Sequence, residues 1–107
     1  NIQQVDHNKH GIFKLFNGET VAGEMAYTWA GILLIIDHTD VNDQFRGQGL
    51  GRKLLNELVT FARGRNIKVI PLYPFAKSVF DKDLSILDVL KNKIYRMYKP
   101  KEKLIHP

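Results

Sequence analysis

The sequence contains no cysteine, which removes disulfides, thiolate metal sites and a cysteine nucleophile together. It has no long apolar run either: the longest, Ala30 to Ile36, falls far short of the ~18 residues of a membrane-spanning helix. Residues Asn1 to Asp6 are polar and acidic, unlike a secretory signal. These absences set the expectation of a cytoplasmic protein without a membrane partner. No internal repeat and no low-complexity stretch is visible. What is present is ordinary: 107 residues, 44% hydrophobic and 25% charged, enough for one domain.

The formal net charge of +5 hints at nucleic acid until it is located. Residues 1–90 carry ten basic and ten acidic side chains. The excess sits at Lys91, Lys93, Arg96, Lys99, Lys101 and Lys103, opposed by Glu102 alone. The pI of about 9.6 therefore describes a basic tail over 91–107, not a face of the domain. The expected organisation is an arm over 1–10, a domain over 11–90 and that tail, which mixes Ile94, Tyr95, Met97, Tyr98 and Leu104 with its lysines.

Gly11 to Phe16 reads as a first strand, with a hairpin signal at Asn17-Gly18. Thr20 to Trp29 alternates as a second strand. Ala30-Gly31 turns the chain into a third, Ile32 to Val41, whose continuous apolar start suggests cover on both faces. The period then changes. Leu50, Leu54, Leu55, Leu58, Val59, Phe61 and Ala62 lie on one face of a helix over 50–65, closed by Gly64 and Asn66. Ile67 to Leu72 follows as a strand, parallel to the third if the crossover is right-handed. Pro74 opens a second helix to about Lys82, with Phe75, Val79 and Phe80 as its buried side. Leu84 to Leu90 holds one more short element. The expected fold class is α/β, a mixed and mostly antiparallel sheet with a βαβ unit.

The chemistry concentrates ahead of the long helix. Glycines at 47, 49 and 51 let successive backbone N–H groups converge with no Cβ in the way. The helix dipole adds about half a positive charge at the same place. That makes an anion site suited to phosphate or pyrophosphate, flanked by Arg46 and Arg52. A Walker loop does not fit, and a dinucleotide fingerprint requires glycine where Arg52 stands.

Arg46-Gly47-Gln48-Gly49-Leu50-Gly51 resembles the coenzyme A loop of the GNAT acetyltransferase superfamily, Gln/Arg-x-x-Gly-x-Gly/Ala. The similarity is closer to a small branch of roughly one hundred residues. Its His-Thr-x-Val stretch has a counterpart in His38-Thr39-Asp40-Val41, and its Cys-Pro-Phe/Tyr stretch in Tyr73-Pro74-Phe75. The resemblance covers about residues 10–90 and implies a minimal GNAT fold with acetyl-coenzyme A as cosubstrate and an amine as acceptor. It implies that the backbone of residues 46–52 (Arg46, Gly47, Gln48, Gly49, Leu50, Gly51, Arg52) holds the pyrophosphate. It also implies that Asp40 and Val41 pair with the pantetheine arm, and that Phe75 to Ser78 lie near the coenzyme.

Direct transfer needs a neutral amine. For a lysine-like acceptor at pH 7, losing the proton costs about 4–5 kcal/mol, which a nearby base can carry during attack. The resemblance assigns that base to His38, whose alternative is a half-buried histidine bonded to a carbonyl. Tyr73 stands where the branch has cysteine, which excludes an acetyl-cysteine route. As in larger members of the superfamily, a phenol of ordinary pKa ~10 can protonate a departing thiolate; its alternative is aromatic packing beside the helix. Asp37, Asp40 and Asp43 read as solvated carboxylates, not metal ligands. Trp29 and Tyr27 read as packing residues, and His7 and His10 have no partner in view. Two rivals stand beside acetyl transfer: a coenzyme A-binding protein without turnover, and a nucleic-acid binder using the tail. Neither acceptor identity nor oligomeric state is legible.

Overall fold

The computed structural model describes residues 1–91. Five strands form one sheet in chain order: β1 (Ile2–Asp6), β2 (His10–Asn17), β3 (Thr20–Ala30), β4 (Leu33–Val41) and β5 (Lys68–Pro71). Neighbours among the first four are antiparallel, and β5 lies parallel to β4. Helix α1 (Leu50–Arg65) makes that crossover, and α2 (Pro74–Lys82) follows β5. The expected α/β class with its βαβ unit is the observed one. Of the tail over 91–107, only Lys91 lies within the described residues; the reading of the rest falls outside them.

The expected arm over 1–10 contains strand β1. The strand carries only Ile2 and Val5 as apolar content, on opposite faces, and most of it is exposed. Its support comes from far along the chain. The Gln4 amide donates to the Tyr27 hydroxyl at 2.8 Å, and the Asp6 carboxylate accepts from both Tyr27 Oη and Trp29 Nε1. Burial and the Asp6 carboxylate push the Tyr27 phenol up to about 12. Gly11 makes room for that phenol across the strand pair, because a Cβ there would stand 2.3 Å from Tyr27 Oη.

Each hairpin turn sits one residue later than its dipeptide signal. Asn17 pairs with Thr20 and Ala30 with Leu33, so Gly18 and Gly31 occupy the first turn position, at φ of +63° and +64°. That is where a two-residue turn of this hand wants glycine.

The core lies between the sheet and the helices. Phe13, Met25, Tyr27, Leu34 and Ile36 from the strands meet Leu54, Leu55, Leu58, Val59 and Ala62 of α1. The helix ends as the sequence suggests, with Asn66 left-handed at φ 55°, while Gly64 stays inside it. In α2 the buried residues are Ala76 and Phe80; Val79 is half-buried and Phe75 is 36% exposed. The apolar stripe of that helix is therefore the 76/80 pair one turn apart, and the expected burial of Phe75 is corrected. Strand β4 is fully buried only on the Leu34/Ile36 face. Strand β5 is shorter than expected because its pairing with β4 runs only from Leu33↔Lys68 to Ile36↔Pro71. Leu72 is left 65% exposed.

Candidate active site

One irregularity in β4 shapes the site. Tyr27 pairs with Ile36 and Ala26 with His38, so Asp37 is an extra residue in the strand. Such a bulge reverses the alternation of every side chain beyond it. Thr39, opposite buried Met25, is thereby turned to the core face. His38 and Asp40 are turned to the other face, opposite Ala26 and Glu24. Asp37 itself accepts from Thr28 Oγ1 at 2.6 Å.

At the bulge, β4 and β5 part: their pairing ends at Ile36↔Pro71, and beyond β5 the Tyr73 N–H still donates to the Ile36 carbonyl at 3.2 Å. Tyr73 then lies across the gap, its hydroxyl donating to the Thr39 carbonyl at 3.2 Å. A cleft of about 510 Å³ opens here, lined by Thr39–Val41, Phe45–Gly47, Gly49–Arg52, Tyr73 and Phe75.

The head of α1 forms one wall. Gly49 caps the helix in a left-handed conformation, φ +73°, and Gly47 has φ +82°. Non-glycine residues adopt this conformation at a cost of about 1–2 kcal/mol. The first helical bond, from Lys53 N–H to the Gly49 carbonyl, is 3.1 Å long. The amides of Leu50, Gly51 and Arg52 therefore precede it and have no intrahelical acceptor. Among the described residues no side chain caps them, and the first turn contains no acidic residue. A Cβ at position 51 would stand 3.2 Å from the Phe75 ring, so this glycine lets Phe75 close over the turn.

Both flanking arginines are already engaged. Arg46 Nε donates to Asp43 at 2.6 Å. Arg52 pairs with Asp83 through Nη2 and with Asn56 through Nε, the latter at 2.9 Å. The two guanidinium groups are thus paired with Asp43 and Asp83, beside a turn whose amides and helix dipole add their own positive field. Bonds from Ser85 and then Arg52 hold the Asp83 carboxyl down at about 2.

Of the sequence-predicted residues, Asp40, Val41, Arg46, Gly47, Gly49, Leu50, Gly51, Arg52, Tyr73 and Phe75 meet in the cleft. Gln48, Ser78 and His38 are not among its lining residues. Gln48 is exposed in the turn. Ser78 Oγ donates to the Phe75 carbonyl at 2.7 Å. His38 stands on the far face of β4 with its side chain 54% exposed and Nε2 3.7 Å from Asp40 Oδ2. Sequence reasoning missed Phe45, which carries no signal, and Thr39, whose inward aim depends on the bulge. Thr39 Oγ1 is buried without a hydrogen-bond partner among the described residues, a state that costs about 1–3 kcal/mol.

A helix head whose first amides have no intrahelical acceptor thus stands beside a parted strand edge, in a mostly antiparallel sheet closed by a βαβ unit. The chain belongs to the GCN5-related N-acetyl-transferase family, whose pattern matches residues 12–89, and it is an N-acetyltransferase by class. It is similar to a GCN5-like protein from Staphylococcus aureus, at 35% identity and a TM-score of 0.67 over 84% of this chain and 86% of that one. The ribosomal-protein-S18-alanine N-acetyltransferase from Escherichia coli shares the fold, at 17% identity and a TM-score of 0.61 over 71% of this chain and 52% of that one. No curated protein matches the chain. Family membership favours acetyl transfer over binding without turnover, and the family generally uses acetyl-coenzyme A. Among the described residues no helix is long and apolar enough to cross a membrane.

Proposed function

We propose that this chain acetylates an amine by direct attack on acetyl-coenzyme A held between the head of α1 and the free edge of β4. The observation that carries the reading is the uncapped turn at Gly47–Arg52, which opens onto the same cleft as Tyr73. Its glycine geometry fits a diphosphate: among the described residues a Cβ at 47 or 49 would meet nothing within 4 Å, so these amides are approachable. Gln48 contributes through its backbone, and Asp40 and Val41 through the strand edge facing the gap. Phe75 walls the opposite side, with its carbonyl bonded by the Ser78 hydroxyl behind it.

Acetyl-coenzyme A supplies the activated thioester. Tyr73 gives its phenol proton to the departing sulfur; the phenol is held by one long bond, 3.2 Å, to a carbonyl. His38 takes the proton of the incoming amine, which approaches from the far face of β4 across the parted strands. Its exposure and the adjacent Asp40 carboxylate suit that role. The acceptor is an amine of unspecified identity, and the reaction is placed in the cytoplasm, where coenzyme A thioesters circulate.

The test is calorimetry with coenzyme A and acetyl-coenzyme A, followed by thiol release in the presence of a mixed panel of amines. Micromolar binding with acceptor-dependent release is expected. Binding without release from any amine favours the rival in which the protein only holds the coenzyme. Absence of binding contradicts the whole reading.

A further inference from the structure

The inward face of the sheet is apolar wherever it is fully buried: Phe13, Met25, Tyr27, Leu34 and Ile36, with the Tyr27 hydroxyl accounted for by Gln4 and Asp6. Thr39 continues that face toward the cleft. Valine has the same branched shape and would pack there without a hydroxyl. Instead the position carries an oxygen that is shielded from water and has no hydrogen-bond partner among the described residues. Buried polar atoms of this kind are uncommon, and each calls for a specific explanation.

The neighbour that supplies one is Tyr73. Its hydroxyl rests on the carbonyl of this same residue, so two hydroxyls belonging to the cleft converge on one peptide unit. In the resting state the phenol is a donor and the Thr39 carbonyl its acceptor. A phenol that has given its proton away becomes an acceptor, and a carbonyl beside it then repels. What the phenolate needs is a nearby donor, and Thr39 Oγ1, on the residue whose carbonyl the phenol already touches, has no hydrogen-bond partner among the described residues.

The geometry points to Thr39 as a positioning residue for the transfer reaction, its hydroxyl donating to the Tyr73 oxygen once the phenol proton has gone to the departing thiol. This rests on the reading of Tyr73 as the proton donor. In that step the amine nitrogen bonds to the acetyl carbon as the C–S bond breaks, an S–H bond forms with the proton from Tyr73, and the phenolate accepts from Thr39 Oγ1. The proton taken from the amine at His38 returns to the phenolate through solvent, restoring the phenol and its bond to the Thr39 carbonyl.

The experiment is a double-mutant cycle on the full chain with Thr39→Val, Thr39→Ser, Tyr73→Phe and the Thr39→Val/Tyr73→Phe pair. Each is followed by steady-state kinetics and thermal unfolding. A hydrogen bond to a charged oxygen predicts a fall in kcat of about ten- to a hundredfold for Thr39→Val, with KM for acetyl-coenzyme A unchanged. Thr39→Ser restores most of the rate. The double variant is no slower than Tyr73→Phe alone, because Thr39 acts only through the phenol. Removing an unpartnered hydroxyl leaves the melting temperature of Thr39→Val equal or higher. Multiplicative losses in the double variant, a change in KM alone, or a destabilised Thr39→Val with normal kcat each overturn the role given to Thr39. A Tyr73→Phe variant with wild-type kcat overturns the proton-donor reading beneath it as well.

Discussion

Replacing Gly49 with alanine separates two consequences of one backbone angle. The residue caps α1 at φ +73°, where an added Cβ meets no atom within 4 Å. No clash confuses the result. The cost is the left-handed conformation itself, about 1–2 kcal/mol. In a domain of this size each kcal/mol lowers the melting temperature by about 4–8 °C, so a fall of about 4–16 °C is expected. The new methyl also stands in the open cleft beside the free amides, and coenzyme A affinity should drop by about tenfold or more, or 1.4 kcal/mol. Gly64 in the same helix is the control. A Cβ there is also in open space but the backbone is helical, so alanine should stabilise by about 0.5–1 kcal/mol and leave coenzyme binding alone. Differential scanning fluorimetry and calorimetry on the pair read both effects. A Gly49→Ala variant as stable and as tightly binding as wild type refutes the argument, as does a Gly64→Ala variant that behaves like it.

Gly11→Ala should be among the more damaging small substitutions, because its Cβ would stand 2.3 Å from Tyr27 Oη. A loss of about 1–3 kcal/mol in chemical denaturation is expected, and a neutral result means the phenol does not lie across the strand. The Asp83 carboxyl, held at about 2 against an ordinary 3.8, contributes stability that is complete above pH 4 and lost as pH falls toward 2. Asp83→Asn should therefore flatten the acid limb of the melting temperature between those values, and an unchanged limb contradicts the Ser85 and Arg52 bonds. His38→Ala should lower kcat by about a hundredfold without changing coenzyme affinity. Full activity in that variant removes the histidine from the chemistry.

Local signals were legible; those that depend on register were not. Both helices have the bounds that periodicity, Pro74 and Asn66 suggest, 50–65 and 74–82, because each end is specified by residues at that end. Strand β1 escaped reading because what holds it, Tyr27 and Trp29, is remote in sequence and its own apolar residues do not alternate. The glycine turn announced itself through three alternating glycines, 47, 49 and 51, at the start of a periodic helix. The bulge at Asp37 has no such mark, yet it decides that Thr39 faces the cleft and His38 the opposite side. Arg52 illustrates a second limit: its bond to Asn56 is one turn along the same helix, but its ion pair with Asp83 is set by how α1 meets the chain after α2, which residue type alone does not reveal.

The amides at the head of α1 are accessible individually by nuclear magnetic resonance in a protein of 12.3 kDa. Titrating coenzyme A into labelled protein should move the backbone N–H signals of Gly47 to Arg52 most, with smaller shifts at Asp40 and Val41. Signals in that turn that stay fixed while the coenzyme binds elsewhere, or fails to bind, contradict the account.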